Sequence, residues 1–285
     1  MIYDVIVIGA GPAGVSASVY LKRANKKVLL IEGSAPGGKL NKTKEVSNYL
    51  GFSKISGADL AFNLFNQIRD NEIDLVLESV RNIKKSNGIF DVITNKKKYV
   101  SKGVVLCMGS SNKVLAISNS EKFLGYGLSY CVLCDAHLYK GKNVVIYGND
   151  DDALVEAKYL VNVCKSVTII HDKELKTNIN SIRIDKLIGL FGKDSLTSIE
   201  VLVDGKQKKI DTDALFVSLG NQGLNTYIED LVTDGSHVIV NEKMETNIDG
   251  LYAAGDIIKK DVYQIVTAAS EGAMAAFNVL KYLGK

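Results

Sequence analysis

The sequence has few of the residues that build disulfide-rich or membrane-spanning proteins. It contains 2 prolines, 4 cysteines and no tryptophan in 285 residues. Four cysteines are too few for a disulfide scaffold in a chain of this length, so a close pair among them is expected to be redox-active or metal-binding. No apolar run approaches the roughly 18 residues that a membrane helix needs. We therefore expect a globular protein without a membrane partner.

Composition and charge are those of an ordinary soluble protein. Hydrophobic residues make up 46% and charged residues 24%, and the length suits two domains. The formal charge of +3 favours acidic partners but is far from that of a nucleic-acid-binding protein. The first residues, MIYDVIVIGAGPAG, contain glycines and lack a basic start, which predicts a strand and turn rather than a signal peptide. We expect a cytoplasmic location and no nucleic-acid partner.

Two segments of the chain have the pattern of a βαβ unit. In each, two short apolar strands flank a stretch with helical periodicity. Two such units predict an α/β fold with two nucleotide-binding-type domains. The predicted strands and helices of the two units are 3–8, 15–24 and 27–31 in the first, and 143–147, 153–161 and 166–170 in the second. A β-meander is predicted at 90–94 and 98–100, and a long final helix at 266–283.

The first unit carries a glycine motif with a dinucleotide-binding pattern. Gly9 permits a tight turn, Gly11 lets a pyrophosphate approach the backbone, and Gly14 allows close packing of the helix. Glu32 ends the next strand, where an acid accepts hydrogen bonds from ribose hydroxyls. The alternative is an ordinary tight turn, but the strand–turn–helix context favours dinucleotide binding.

The order of several motifs resembles that of bacterial low-molecular-weight thioredoxin reductases. The stretches GAGPAGVSASVYLKR, GGKLNKT, CVLCD, FVSLGN and GLYAAGD occur in the family's order, and the resemblance covers essentially the whole chain. It implies two Rossmann-like, three-layer ββα domains: a discontinuous FAD domain of residues 1–112 and 241–285, and a central redox domain of residues 113–240. It also implies a homodimer.

By the same resemblance the first motif binds FAD. Gly37, Gly38 and Asn48 would lie along the flavin, and Gly255 and Asp256 would approach its ribityl and phosphate groups. Lys39, Leu50 and Tyr263 depart from the glutamine, proline and arginine usual in the family. The expected FAD-binding residues are Gly9, Gly11, Pro12, Ala13, Gly14, Glu32, Gly37, Gly38, Lys39, Leu40, Asn48, Gly109, Gly255, Asp256, Gln264 and Ile265.

Cys131 and Cys134 form a CxxC pair, which can exchange electrons because a thiolate is the reactive species and the spacing allows a disulfide. The alternative is half of a zinc site. The sequence offers no second pair at ligand spacing, so no metal site is expected. Cys107 and Cys164 lie singly in apolar runs and are expected to be core residues.

The resemblance also implies a role for each residue of the redox pair. Cys134 would contact the flavin, Cys131 would attack the partner disulfide, and Asp135 would supply a proton to the leaving thiolate. The alternative for Asp135 is a helix N-cap. His137 replaces an aromatic residue usual in the family, and it is either a second proton shuttle or a structural histidine.

The second glycine motif is damaged, which speaks against NADPH. Gly148 is followed by Asn149 and by three acids at residues 150–152, so Asp150 stands where the second glycine belongs. Acids at a helix N-terminus repel phosphate. Asp172 and Glu174 follow the next strand, where NADPH-using relatives carry arginines for the 2′-phosphate. The alternative interpretation, that residues 150–152 merely cap the helix, also leaves no nucleotide site.

With flavin and disulfide sites retained, another electron donor is needed. The combination most resembles the ferredoxin-dependent flavin thioredoxin reductases, in which reduced ferredoxin supplies the electrons for thioredoxin. Two alternatives are an NADPH-dependent thioredoxin reductase and an FAD-dependent dithiol oxidase that uses oxygen; a flavin-binding scaffold without turnover is disfavoured by the complete cysteine pair. Ferredoxin is typically acidic, and the basic residues that could meet it are Lys22, Arg23, Lys26, Lys27, Lys96, Lys97, Lys98, Lys206, Lys208 and Lys209.

Overall fold

The computed structural model describes residues 1–110, 115–220 and 228–284. The described residues form two compact units, one of residues 1–110 and 228–284 and the other of residues 115–220. Residues 112 and 113, at the first predicted domain boundary, and Asn221, which ends the FVSLGN stretch, lie outside the described residues.

Residues 1–110 build the main sheet of the first unit. Helix α1 begins directly after Gly11 with Pro12, whose fixed φ suits the first helical position, and Lys22 and Arg23 complement the dipole of its last turn. The elements are β1 (Ile2–Ile8), α1 (Pro12–Arg23), β2 (Val28–Glu32), a 3₁₀ helix (Gly38–Lys42), α2 (Gly57–Asp70), β3 (Asp74–Leu77), β4 (Val80–Ser86), β5 (Ile89–Thr94) and β6 (Lys98–Leu106).

Residues 115–220 build the second unit around another parallel sheet. The strands at 143–148, 166–171 and 214–218 are short, mainly apolar runs that are largely buried on both faces, as parallel strands usually are. The elements are a 3₁₀ helix (Ser120–Phe123), β7 (Leu128–Ser129), α3 (Val132–Asp135), a 3₁₀ helix (Ala136–Tyr139), β8 (Asn143–Gly148), α4 (Asp151–Val161), β9 (Ser166–His171), β10 (Ser181–Arg183), β11 (Lys186–Phe191), β12 (Ser198–Val203), β13 (Lys206–Asp211) and β14 (Ala214–Ser218).

The chain then completes the first unit with β15 (Thr233–Asp234), β16 (His237–Val238), β17 (Leu251–Ala253) and α5 (Ile265–Leu283). In the described residues of this unit, seven strands form one sheet in the order β3-β2-β1-β6-β5-β4, with β17 paired to β6. β1 is parallel to β2 and β6, so the first βαβ unit lies at the middle of the sheet. Helices α1 and α5 pack on each other, and Gly272 of α5 lies against the backbone of Ala13.

The second unit is built on two smaller sheets. Its described strands form a parallel five-stranded sheet in the order β10-β9-β8-β14-β7 and an antiparallel three-stranded sheet of β11, β12 and β13. The predicted α/β architecture of two Rossmann-like domains is confirmed. Among the described residues no helix is both long and apolar enough to span a membrane.

Two details differ from the sequence prediction. Strand β6 extends to Leu106, well beyond Val100, because it pairs with β1 and β17 across residues that include Gly103. Residues 228–240, which the sequence analysis assigns to the central domain, lie in the first unit. Their Ile228 and Val238 join its hydrophobic core, and the Val238 amide donates to the Ile257 carbonyl at 2.8 Å.

Candidate active site

The first glycine motif forms an open turn between β1 and α1. Gly9 has a φ of +102°, which favours glycine, and a Cβ on Gly14 would lie 1.8 Å from the Gly9 carbonyl oxygen. A Cβ on Gly11, by contrast, would meet no atom of the described residues within 4 Å. No side chain of the described residues caps the N-terminus of α1, and its first turn carries no acid. The turn is therefore open in front of Gly11, and the first amide groups of α1, which have no acceptor within the helix, can face an anion.

The Glu32 carboxylate stabilises this turn. Its Oε2 accepts a hydrogen bond from the Ala10 amide at 2.7 Å, and its Oε1 accepts one from the Ser34 amide at 2.9 Å. The Gly37 amide in turn donates to the Ala10 carbonyl at 2.8 Å, which brings the predicted GGKL segment to the same turn. Each carboxylate oxygen keeps a further lone pair, so Glu32 can still accept from a ligand hydroxyl.

A network of charged groups surrounds Asp256, the acid that follows Gly255. The Lys39 ammonium lies 3.1 Å from Asp256 Oδ2 and donates to Ser110 Oγ at 2.9 Å. On the other side, the Lys260 ammonium lies 3.8 Å from Asp256 Oδ1. The lysine that replaces the family's glutamine thus pairs with an acid that the sequence analysis assigns to cofactor binding.

The start of α5 lies close to Asn48. The Asn48 side-chain amide donates to Gln264 Oε1 at 2.9 Å, and Gln264 forms a capping box with Thr267 at the start of the helix. All sixteen predicted FAD-binding residues lie in the first unit, and the contacts above join several of the chain segments that carry them: the turn after β1, the end of β2, the GGKL segment, Asn48, the turn after β17 and the start of α5.

Sequence reasoning missed three residues of this site: Lys260, Glu271 and Gly272. Glu271 accepts from the Gly255 amide at 2.9 Å and from Lys260 at 2.7 Å. Gly272 allows α5 to approach α1, because a Cβ there would lie 2.1 Å from the Ala13 carbonyl oxygen. A glycine inside a predicted helix was the only local signal, since it points to close packing.

The corresponding turn of the second unit is closed by its own side chains. Asp150 is the N-cap of α4, and its Oδ1 accepts from the Ala153 amide at 3.1 Å. Asp151 and Asp152 occupy the first helical turn. Asn149 Oδ1 accepts from the amides of Asp172 and Lys173, at 2.9 and 3.3 Å. Unlike α1, helix α4 therefore starts with a satisfied cap and three carboxylates.

The predicted redox pair is present as a disulfide. Cys131 and Cys134 are bonded, with a Cα–Cα distance of 5.3 Å. Cys131 also begins the short helix α3, since its Sγ accepts from the Cys134 amide at 3.2 Å. The other two cysteines, Cys107 and Cys164, are free; Cys107 is buried and Cys164 half-buried. Burial raises the pKa of both thiols, which keeps them protonated and unreactive.

Asp135 lies at the end of α3 and is held by a serine. Ser129 Oγ donates to Asp135 Oδ2 at 2.6 Å. Asp135 occupies the N-cap position of the 3₁₀ helix Ala136–Tyr139, as the alternative interpretation supposes, but its side chain makes no capping hydrogen bond there. Burial raises the pKa of Asp135, and the Ser129 hydroxyl and the nearby His137 oppose that rise. A carboxyl group with a raised pKa can carry and release a proton nearer neutral pH than an exposed one.

Comparison with known proteins identifies the family. The profile of the pyridine nucleotide-disulphide oxidoreductases matches residues 3–272. The chain belongs to this family. The thioredoxin reductase of Mycoplasma genitalium is 35% identical over an alignment of 299 positions, which covers 98% of this chain and 95% of that protein.

Two solved structures extend this comparison. The thioredoxin reductase of Streptococcus pyogenes matches with a TM-score of 0.93 and 28% identity, covering 99% of this chain and 98% of that one. A ferredoxin-flavin thioredoxin reductase from Clostridium acetobutylicum matches with a TM-score of 0.58 and 32% identity, covering 99% of this chain and 98% of that one.

The pyridine nucleotide-disulphide oxidoreductases of this type are FAD-binding flavoproteins, and FAD is the cofactor. The residues of the first unit fit such a group. The open space at Gly11 admits a pyrophosphate to the uncapped start of α1, and Glu32 has acceptor capacity left for a ribose hydroxyl.

Proposed function

We propose that this protein is a flavin-dependent thioredoxin-disulfide reductase. The single observation that carries the proposal is the Cys131–Cys134 disulfide, which shares a helix with the partly buried Asp135 carboxyl. The thioredoxin reductases among its relatives align over almost the full length of this chain. Bound FAD, once reduced, would supply two electrons, which together with two protons convert the Cys131–Cys134 disulfide to a dithiol.

The dithiol then reduces a thioredoxin disulfide by two exchanges. Cys131, as a thiolate, attacks one sulfur of the partner disulfide; a mixed disulfide forms, and the other partner sulfur leaves and takes up a proton. Cys134 next attacks Cys131, which restores the Cys131–Cys134 disulfide and releases the second partner sulfur as a thiol. The Asp135 carboxyl supplies the proton to a leaving thiolate, since burial keeps that group protonated at higher pH than an exposed aspartate.

For FAD binding, each segment of the first unit has a proposed part. The turn from Gly9 to Gly14 receives the pyrophosphate at the start of α1. Glu32 accepts from the adenosine ribose, and Asp256 lies toward the ribityl and phosphate groups. The remaining proposed contacts along the cofactor are Pro12, Ala13, Gly37, Gly38, Lys39, Leu40, Asn48, Gly109, Gly255, Gln264 and Ile265.

For the electron donor we propose reduced ferredoxin. Asp150 caps α4 with its own carboxylate, and Asp151 and Asp152 add charge where a nucleotide pyrophosphate would bind. Asp172 accepts from Tyr147 at 2.8 Å and adds a carboxylate where a 2′-phosphate would need a cation. The ferredoxin-flavin thioredoxin reductase of Clostridium acetobutylicum, at 32% identity, supports a ferredoxin donor.

Two other functions remain candidates. An NADPH-dependent reductase is favoured by the names of the sequence relatives, which are thioredoxin reductases without mention of ferredoxin. An FAD-dependent dithiol oxidase would need the same cysteine pair without a nucleotide.

A homodimer and a cytoplasmic location are further proposals from the resemblance. Light scattering of the purified protein tests whether it is a homodimer.

Anaerobic bleaching of the flavin absorbance tests the donor. Purified holoprotein is offered NADPH, NADH and photoreduced ferredoxin in turn, with oxidised thioredoxin as acceptor. We expect ferredoxin alone to bleach the flavin and drive thioredoxin reduction. Prompt bleaching by NADPH would overturn the ferredoxin proposal and leave the reductase proposal intact. In a separate aerobic assay, rapid oxidation of a small dithiol with consumption of oxygen, together with no thioredoxin reduction, would instead identify the oxidase.

A further inference from the structure

The Ser129 hydroxyl forms hydrogen bonds with both the Asp135 carboxyl group and the backbone of Cys131. This hydroxyl is buried, with 3% of the residue exposed. It lies 2.6 Å from Asp135 Oδ2, 3.0 Å from the Cys131 amide nitrogen and 3.3 Å from the Cys131 carbonyl oxygen. All three partners belong to the segment that carries the disulfide, so this one hydroxyl contacts both the carboxyl and the first cysteine.

We propose that Ser129 is a positioning residue that holds the Asp135 carboxyl against the Cys131 backbone in both protonation states of Asp135. Its role in turnover rests on the proposed reductase function. Its role in holding the carboxyl does not.

The hydrogen-bonding capacity of a hydroxyl supports both states. A serine hydroxyl has one donor and two acceptor sites. When Asp135 is ionised, Ser129 donates to Oδ2 and accepts from the Cys131 amide. When Oδ2 is protonated, Asp135 donates to Ser129 instead, and the serine proton turns to the Cys131 carbonyl. In both states the Cys131 amide keeps its acceptor, so the proton can leave Asp135 without a loss of its anchoring.

Other titratable groups surround Asp135. His137 lowers the pKa of Asp135 from the following 3₁₀ helix. Burial raises the pKa of Tyr139, and the charges of Asp135 and Asp213 add to that rise. Helix α4 packs against α3 and carries further charges. Those charged residues are Asp151, Asp152, Glu156 and Lys158. Of the two side chains that lower the pKa of Asp135, Ser129 and His137, Ser129 is the uncharged one. Removing the Ser129 hydroxyl therefore changes hydrogen bonding without changing charge.

Titration of Asp135 tests the proposal without any donor or thioredoxin. Holoprotein with the disulfide intact is labelled with ¹³C at aspartate carboxyls, and the Asp135 signal is the one lost in Asp135→Asn. Ser129 holds the carboxyl in both states, but its hydrogen bond to the ionised carboxylate is charge-assisted and therefore the stronger. Ser129→Ala should therefore move the titration midpoint to higher pH, and Ser129→Thr should restore it. Ser198→Ala, which truncates another buried serine of the same unit, should leave it unchanged.

Thioredoxin reduction provides a second test of the proposal. We expect Ser129→Ala to lower thioredoxin reduction about 10-fold, as a misaligned acid would, and to move the fall of activity at high pH upward. An unchanged Asp135 midpoint in Ser129→Ala would overturn the proposal even if turnover falls. If the wild-type protein reduces no thioredoxin with any donor, the reductase proposal fails while the titration still decides the role of Ser129.

A measurement on the wild-type protein covers the case in which Ser129→Ala does not fold. The ¹⁵N shift of the Cys131 amide should titrate with the Asp135 midpoint, because the hydroxyl that accepts from this amide reorients with the carboxyl. The same shift should be independent of pH in Asp135→Asn. A wild-type Cys131 shift that ignores the Asp135 midpoint would overturn the proposal.

Discussion

The Lys260 ammonium lies 2.7 Å from Glu271 Oε2, and both side chains are almost buried, at 11% and 13% exposure. The same carboxylate oxygen accepts from the Gly255 amide at 2.9 Å. The pair thus ties α5 to the turn that follows β17, where the proposed FAD-binding residue Asp256 lies. Burial raises the pKa of Glu271, and Lys260 opposes that rise.

Lys260→Met should destabilise the protein, because it leaves the Glu271 carboxylate buried without its cation. We expect a loss of about 2 kcal/mol in the free energy of unfolding at pH 8. The raised pKa of Glu271 rises further in the variant. The protonated form is then favoured in the folded state, so the loss should shrink toward pH 5 and grow as the pH rises through that pKa.

Urea unfolding of the apoprotein at pH 5 and pH 8 measures this effect. Lys259→Met is the matched control, because Lys259 is exposed and pairs with the exposed Asp234. A loss of the same size at both pH values would contradict the assignment of the effect to the ionised Glu271.

The Glu271 contact illustrates which parts of the site the sequence could predict. Gly9, Gly11 and Gly14 were predictable because a strand, a turn and a helix follow one another locally, and Glu32 because it ends the next strand. The Lys260–Glu271 pair joins a loop to the second turn of a helix, and the Ser129–Asp135 bond joins a strand to a helix end. Such contacts depend on tertiary packing, and no residue spacing in the sequence encodes them.

Asp150 variants separate helix capping from charge. Asp150→Ala removes the acceptor of the Ala153 amide and should cost about 1 kcal/mol of stability. Asp150→Asn keeps an acceptor oxygen and should remain close to the wild type. Chemical denaturation of the three proteins measures the difference. Equal losses in both variants would mean that the charge of Asp150, and not its cap, stabilises α4.

The cysteine pair yields a prediction about catalysis. Cys134→Ser should retain its flavin absorbance but lose thioredoxin reduction to background, because no internal disulfide can form. Cys164→Ser is the control, since that thiol is half-buried and lies outside the disulfide segment; it should keep full turnover. Turnover that survives Cys134→Ser would remove the CxxC pair from the mechanism.

Gly11 and Gly14 lie in the same turn but should respond to alanine in opposite ways. A Cβ on Gly14 would lie 1.8 Å from the Gly9 carbonyl oxygen, which is backbone and cannot yield. Gly14→Ala should therefore cost about 3 kcal/mol or more of stability, even without cofactor. A Cβ on Gly11 has open space among the described residues, and its φ of −78° suits alanine, so the Gly11→Ala apoprotein should lose at most about 1 kcal/mol.

The effect of Gly11→Ala should appear when FAD is added, because the new methyl group occupies the space proposed for the pyrophosphate. We expect the FAD dissociation constant to rise about tenfold, or about 1.4 kcal/mol. Fluorescence titration of apoprotein with FAD gives the constant, and urea unfolding gives the stability. Unaltered FAD affinity in Gly11→Ala would mean that the pyrophosphate does not approach this turn, whereas weak binding with intact stability locates the cofactor at the start of α1.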